Sequence, residues 1–291
     1  MSLRVGVIGR PVAHSISPRF QQAGFDDVGI EARYEAWDLA PAELESFING
    51  LRDEDALGAN VTIPYKEAAL RHMDGLDQTA RFVGAINTIV NTGDALQGYN
   101  TDVTGFQRSL AEAGFDPTGR HAVLWGAGGA ARAVAWALIW RGVAALTIVN
   151  RTAVRAGRLR HDLASASAGV ALRAMGADDA QVGESLRAAD LVVQCTSVGL
   201  AGSETAGRLP FEPGLLRADA FVADLIANPR ESALVQAASA SGRRAVGGLP
   251  MLVYQGAAAF ELWTSRAAPT SVMLAAADAA MAEVEGGGSD E

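Results

Sequence analysis

Two residue patterns in this chain could do chemistry: a glycine-rich turn suited to phosphate, and a set of lysine, hydroxyl, amide and carboxylate side chains suited to an alcohol. The turn is Gly126-Ala127-Gly128-Gly129-Ala130-Ala131, which fits GxGxxA. It follows the strand-like run Ala122-Val123-Leu124-Trp125 and opens a helical stretch. In that setting Gly126 permits a tight turn, Gly128 lets the backbone approach a pyrophosphate, and Ala131 lets the helix pack close to the strand. The helix start would present unpaired N–H groups and partial positive charge to the phosphates. The competing reading is a tight strand-to-helix turn with no ligand. The next strand bears on the choice of dinucleotide. An NAD site usually has Asp or Glu about 20 residues on, at the ribose hydroxyls. Here the strand ends in Asn150-Arg151-Thr152, with Arg155 following. A guanidinium pairs with a 2′-phosphate through charge-assisted hydrogen bonds, whereas a carboxylate would repel it. NADP rather than NAD is therefore expected, against the alternative that both arginines are solvated residues of a helix start.

The second set is spread along the chain. His14-Ser15-Ile16-Ser17-Pro18 puts two hydroxyls at i and i+2, on one side of an extended segment. They are either ligand groups, or a turn residue and a helix cap. Asn60, Thr62 and Lys66, in NVTIPYK, lie at and beyond the end of a buried strand. Such strand ends line the crevice of open α/β sheets. Lys66 is there either as a surface charge or as a catalytic group. Ile86-Asn87-Thr88 and Asn100-Thr101-Asp102 add amide, hydroxyl and carboxylate groups.

The elements that must position these residues alternate between short β-branched runs and longer helical stretches, which predicts α/β units with parallel sheets. Residues 4–9 read as a first strand. A helix over 17–29 follows, with Ser17 as its cap and Pro18 at its first position. ARYEAWDL is strand-like, PAELESFINGLR and KEAALRHM are helical, and AINTIVNTGDALQGYN is a hairpin turning at Thr92-Gly93-Asp94. TDVTGFQRSLAEAGF is a helix linking two lobes. LVVQCTSVGL and AFVADLIANP are buried strands, and MLVYQGAAAFELWTS is an apolar helix. The tail VEGGGSDE is expected to fray. The nucleotide lobe is placed at 104–248, and the other lobe is built from 1–103 plus the returning segment 249–291. Trp136 and Trp140, Met251 and Phe260 read as packing residues, and Cys195 as a core thiol.

Composition narrows the classes. With 291 residues the chain has room for two cores, and 49% hydrophobic with 20% charged residues excludes wholesale disorder. Lys and Arg number 24 against 33 Asp and Glu, a net charge of −9, so neither nucleic acid nor an anionic membrane is an expected partner. The single cysteine excludes an intrachain disulfide and a cysteine-based zinc site, and the four histidines are scattered, so no metal is expected. Neither a signal-like segment nor an apolar run of about 18 residues is present, so a cytoplasmic location is the default.

HSISP, NVTIPYK, GAINT, NTDVTGF, GAGGAARA, NRTAVR and GLPMLVYQGAAAF occur together in this order. From about Gly6 to about Trp263 the chain resembles the shikimate dehydrogenase family, with its quinate and aminoshikimate relatives. The resemblance implies two lobes: a Rossmann-like NADP-binding domain, and an α/β substrate-binding domain completed by the C-terminal helices. It implies a polyhydroxylated cyclohexene carboxylate held beside the nicotinamide. Ser15 and Ser17 would bind its carboxylate. Thr62, Lys66, Asn87, Asp102 and Gln255 would hold the ring hydroxyls, with Lys66 and Asp102 as the catalytic pair. Gly126, Ala127, Gly128, Gly129, Ala130, Ala131, Asn150, Arg151, Thr152 and Arg155 would hold NADP, and Thr196, Leu225 and Gly248 would lie near the nicotinamide. The expected activity is reversible reduction of 3-dehydroshikimate to shikimate, by a monomer or homodimer. Quinate or an aminated analogue is the alternative substrate, and a non-catalytic ligand sensor the more distant alternative. Two departures bear on the substrate. Ala227 stands where the family commonly has Tyr, and Gln21-Gln22 where it often has His-Asn; both are expected to alter the carboxylate end of the pocket.

Overall fold

Runs such as Leu3–Gly9 and Leu191–Gln194, rich in Val, Ile and Leu, form strands buried along most of their length. In this computed structural model, which describes residues 2–287, the elements follow in chain order. They begin with β1 (Leu3–Gly9), α1 (Ser17–Asp27), β2 (Ala32–Asp38), α2 (Leu44–Gly50), β3 (Gly58–Val61), β4 (Gly75–Leu76), α3 (Gln78–Val83), β5 (Thr88–Asn91), β6 (Leu96–Tyr99) and α4 (Asp102–Glu112). Next come β7 (His121–Trp125), α5 (Gly129–Trp140), β8 (Ala145–Asn150), α6 (Ala153–Leu163), β9 (Ala171–Gly176), α7 (Val182–Ala188), β10 (Leu191–Gln194), β11 (Phe221–Asp224), α8 (Ala233–Ala240) and β12 (Arg244–Val246). The chain closes with α9 (Leu249–Thr264) and α10 (Thr270–Gly287). It divides into two compact units, Met1–Gly105 with Leu252–Glu291, and Phe106–Met251, the divisions falling inside α4 and α9.

The first unit carries a six-stranded sheet in the order β2-β1-β3-β5-β6-β4. Its pairing is mixed, unlike the parallel sheet expected from the alternating pattern. β1 runs parallel to β2 and β3, but β5 is antiparallel to both β3 and β6. The cause is the hairpin at Thr92-Gly93-Asp94, closed where the Thr92 N–H and hydroxyl both donate to the Ala95 carbonyl, at 3.0 and 2.9 Å. This reversal matters for function. It brings the end of β3, the start of β5 and the end of β6 to one edge, with Asn60 opposite Thr88 and Thr88 opposite Tyr99. The core includes Val5, Val7 and Tyr34, with the Phe25 and Phe260 rings 4.8 Å apart. Each such fully buried Phe contributes about 1.5–3 kcal/mol.

The second unit carries six parallel strands in the order β12-β11-β10-β7-β8-β9, as the strand–helix alternation predicts. Val123, Val192 and Val222 lie in its core. Parallel pairing brings the carboxyl ends of all six strands to one rim.

Local expectations differ from the structure in several places. Ile16, not Ser17, occupies the N-cap of α1; Ser17 sits inside the first turn, and its N–H donates to Ser15 Oγ at 3.2 Å. KEAALRHM forms only a 3₁₀ turn, Ala68–His72, because Asp74 is already committed to β6: its N–H donates to the Leu96 carbonyl, and its carboxylate accepts the Leu96 N–H. PAELESFINGLR starts as a 3₁₀ turn before becoming α2. Trp140 is 62% exposed at the end of α5 rather than packed, while Trp136 is half-buried; Met251 and Phe260 are buried. The tail helix α10 continues through Gly287, and the rest of the segment expected to fray, 288–291, lies outside the described residues.

Candidate active site

Lys66 follows β3, beyond the turn that begins at Thr62. The segment is held by Thr62 N–H to the Ile8 carbonyl and Tyr65 N–H to the Thr62 carbonyl, each at 2.9 Å, and by the Tyr65 hydroxyl on the Leu39 carbonyl. The Lys66 carbonyl accepts the Ile86 N–H at 2.9 Å, which ties the lysine to the segment that carries Asn87 into β5. Asp102 opens α4, where the helix dipole favours a carboxylate. Lys66 Nζ donates to Asp102 Oδ2 at 2.6 Å, with the two side chains 24% and 10% exposed. The other carboxylate oxygen, Oδ1, accepts from Asn87 Nδ2 at 2.9 Å. Asn87 Nδ2 also donates to Gln255 Oε1 at 3.0 Å, and Gln255 is in turn anchored through Nε2 to the Leu252 carbonyl at 2.7 Å. An ammonium and a braced carboxylate thus meet at one point, one able to donate a proton to an alcohol oxygen and the other able to accept one.

The structure therefore brings Lys66, Asn87, Asp102 and Gln255 into direct contact. Ser15, Ser17 and Thr62 are not hydrogen-bonded to that group. Ser15 and Ser17 follow β1, and Thr62 follows β3. The two loops are tied by Arg10 N–H to the Ile63 carbonyl at 3.0 Å, and by close approach of Thr62 Cγ2 to Gly9. The Ser17 and Thr62 hydroxyls carry no hydrogen bond among the described residues, so both are available to a ligand. Thr101 was missed. Its N–H and its hydroxyl both donate to Asn87 Oδ1, at 2.7 and 3.1 Å. The Asn-Thr-Asp triplet was its only signal in the sequence.

Gln21 and Gln22 make contacts that their sequence neighbours do not announce. Gln21 donates to the Gly256 carbonyl at 2.9 Å. Gln22 lies along β2, the terminal strand, accepting the Tyr34 N–H and donating to the Ala32 carbonyl, each at 3.0 Å. It covers polar backbone groups that an edge strand otherwise exposes.

In the second unit the glycine turn joins β7 to α5. Gly126 has φ +124°, and a Cβ there would lie 3.0 Å from Thr196 Cγ2. Gly128 is different. Its φ is −94°, and a Cβ on it would meet nothing within 4 Å. Nothing in the protein demands glycine at 128, which leaves room for a close-approaching ligand as the reason. Gly128 also caps α5 without a side-chain bond, so the N–H groups of Gly129, Ala130 and Ala131 open the helix uncapped, as an anion site requires. Ala131 itself is fully buried.

The neighbouring strand ends add to this rim. Asn150 Nδ2 donates to the Thr152 carbonyl at 3.0 Å, shaping the start of α6. Arg151 and Arg155 are exposed and form no ion pair among the described residues. Asp162, towards the other end of α6, is paired with Arg132 at 2.6 Å. Past β10, the buried Gln194 amide donates to Thr196 Oγ1 at 2.9 Å and to the Val198 carbonyl at 3.0 Å. Leu225 follows β11, and Gly248 approaches it so closely that a Cβ would fall 2.4 Å from the Leu225 carbonyl oxygen. An open glycine, an uncapped helix start and two unpaired guanidiniums fit a dinucleotide carrying an extra phosphate.

Cys195 is half-buried. Burial, and secondarily Asp224, push its thiol pKa up, which suppresses the thiolate. Burial likewise raises Asp224, which accepts the Ser232 hydroxyl and the Ile226 N–H. Among the described residues no cluster of His, Cys, Asp or Glu is arranged to hold a metal, and no helix is long and apolar enough to cross a membrane.

Residues 7–89 match the shikimate dehydrogenase substrate binding domain, 109–233 the shikimate/quinate 5-dehydrogenase family, and 248–277 the shikimate 5′-dehydrogenase C-terminal domain. The chain is 45% identical over 288 residues to a shikimate dehydrogenase (NADP(+)) of Moorella thermoacetica, covering 97% of this chain and 95% of that protein. A crystal structure of a shikimate dehydrogenase in complex with NADP+ superposes with a TM-score of 0.88 at 34% identity, covering 96% of each chain. Shikimate 5-dehydrogenase from Thermus thermophilus, in complex with NADP(H) and shikimate, superposes with a TM-score of 0.85 at 36% identity, covering 96% of this chain and 99% of that one. An α/β chain with a Rossmann-like parallel sheet and a separate lysine–aspartate centre has the build of a dinucleotide-dependent alcohol dehydrogenase. The chain belongs to the shikimate dehydrogenase family.

Proposed function

We propose that this chain catalyses the reversible, NADP-dependent reduction of 3-dehydroshikimate to shikimate. The observation that carries the reading is the 2.6 Å Lys66–Asp102 pair, braced by Asn87, in a chain of this family. Bound NADP supplies the hydride acceptor for the alcohol carbon, or the donor in reverse. The remaining work falls to the protein. Ser15 and Ser17 hold the substrate carboxylate, and Thr62, Asn87 and Gln255 orient the ring hydroxyls. Lys66 and Asp102 grip the reacting hydroxyl and carry its proton. When the ketone is reduced, Lys66 donates to the oxygen on which charge develops.

On this reading residues 1–103 form the substrate-binding and catalytic domain and 249–291 return to it, while 104–248 bind NADP. Residues 126–131 take the pyrophosphate, and Asn150, Arg151, Thr152 and Arg155 the 2′-phosphate end. Thr196, Leu225 and Gly248 lie toward the nicotinamide. The enzyme works in the cytoplasm, as a monomer or homodimer.

Ala227 favours a second reading, quinate or an aminated analogue as substrate, because a tyrosine side chain common in the family is missing there. Steady-state kinetics with shikimate and quinate, each with NADP and NAD, test the choice. The highest kcat/KM is expected for shikimate with NADP. A higher kcat/KM for quinate with NAD would overturn both the substrate and the cofactor assignment, and binding without turnover would mark a sensor.

A further inference from the structure

The orientation of the Asn87 amide decides what Asp102 experiences. With Nδ2 toward Asp102 Oδ1 and Gln255 Oε1, the amide donates to both. Turned over, it would set its own oxygen against two acceptors. Asn87 is 2% exposed, so water cannot compensate for a wrong orientation. The amide needs donors on its oxygen side, and the structure supplies them. Oδ1 accepts the Thr101 N–H at 2.7 Å and the Thr101 and Thr88 hydroxyls, each at 3.1 Å.

The Thr88 hydroxyl has one proton, so its direction depends on what occupies its lone pairs. Asn60 Nδ2 donates to it at 3.1 Å, and also to the Asn87 carbonyl at 3.1 Å. Asn60 can present that amide face only while its Oδ1 is satisfied, and the donor there is the Tyr34 hydroxyl at 2.7 Å. Tyr34, on β2, is 5% exposed, and burial lifts its pKa well above the usual phenol range, so it remains a donor. Its ring lies against Trp263 at 6.2 Å. The result is a buried run of donors all pointing one way: Tyr34 to Asn60, Asn60 to Thr88, Thr88 to Asn87, Asn87 to Asp102. Bonds aligned in this sense strengthen one another.

We propose that Thr88 and Tyr34 are positioning residues for the reaction: linked through Asn60, they fix the Asn87 amide and so the presentation of the Asp102 carboxylate beside Lys66. The inference rests on the functional reading above. It is tested in the full-length enzyme with Thr88→Val, Thr88→Ser and Tyr34→Phe, measuring kcat, KM for shikimate, KM for NADP and the thermal midpoint. Thr88→Val keeps the shape and removes the hydroxyl; kcat is expected to fall about tenfold or more, with KM for NADP within about twofold of the parent. Thr88→Ser should recover kcat to within about threefold, since the hydroxyl returns. Tyr34→Phe, which preserves the ring, should lower kcat severalfold in the same pattern. Unchanged kcat in both Thr88→Val and Tyr34→Phe, whatever their thermal midpoints, would overturn the proposal, as would a Thr88→Ser enzyme as slow as Thr88→Val. A parent inactive toward every alcohol would overturn the functional reading and this inference with it.

Discussion

Arg151 and Lys66 are both cations near the carboxyl end of a strand, yet their surroundings give them opposite work. Lys66 is engaged at 2.6 Å by a carboxylate that is itself braced, so its charge is spent locally on orienting protons. Arg151 is exposed and forms no ion pair among the described residues. A free guanidinium at that strand end suits a phosphate brought by a ligand. Replacing Arg151 with Ala should raise KM for NADP by roughly 10- to 100-fold, the worth of a charge-assisted hydrogen bond, while changing KM for NAD by less than about twofold. Equal effects on the two cofactors would count against a 2′-phosphate contact. At this scale the sequence was legible where a residue's chemistry is unusual for its place, as with an arginine where an NAD site has an acid. It was illegible where the partner sits far along the chain. Gln22 caps the edge of β2, and Gln21 bonds to Gly256, 235 positions away; nothing local announces either contact.

Among the elements, the strand–turn–helix from β7 to α5 is the most informative. Gly126 is required by the fold itself, since its φ of +124° and its contact with Thr196 exclude a side chain. Gly128 is not required by the fold. Gly128→Ala should therefore fold with a thermal midpoint within about 2 °C of the parent, while weakening NADP binding by at least about tenfold, as calorimetric titration would record. Undiminished binding would mean that no pyrophosphate approaches there. Element types were legible wherever hydrophobic periodicity was strong, as in β1, β7, α5 and α9. The short pieces β4, α3 and β12 were not, because two to six residues carry too little periodicity to separate strand from helix. The mixed pairing of the first sheet follows from one hairpin turn. Missing its consequence hid the fact that Asn87 and Asp102 reach the Lys66 edge from strands running in opposite directions.

For the whole molecule, the two units divide the chemistry. The first contains every contact of the Lys66–Asn87–Asp102–Gln255 group, and the second every feature suited to a dinucleotide. The family was legible because seven short blocks fall in one order over most of the chain, even though each block alone admits a structural explanation. The buried polar run behind Asn87 was only partly legible: Asn60 and Thr88 stood out as polar groups at strand ends, but Tyr34 looks like an ordinary strand residue, and their connection emerges only when β2, β3 and β5 are assembled into one sheet. Division of labour has a direct consequence: removing the ammonium of the first unit should stop turnover and leave the cofactor site of the second unit intact. The decisive measurement compares kcat for shikimate oxidation with the dissociation constant for NADP in the parent and in Lys66→Ala. A fall in kcat of at least ~100-fold, with NADP affinity within about twofold, is the expected result; a Lys66→Ala enzyme that turns over shikimate at close to the parent rate would contradict the account.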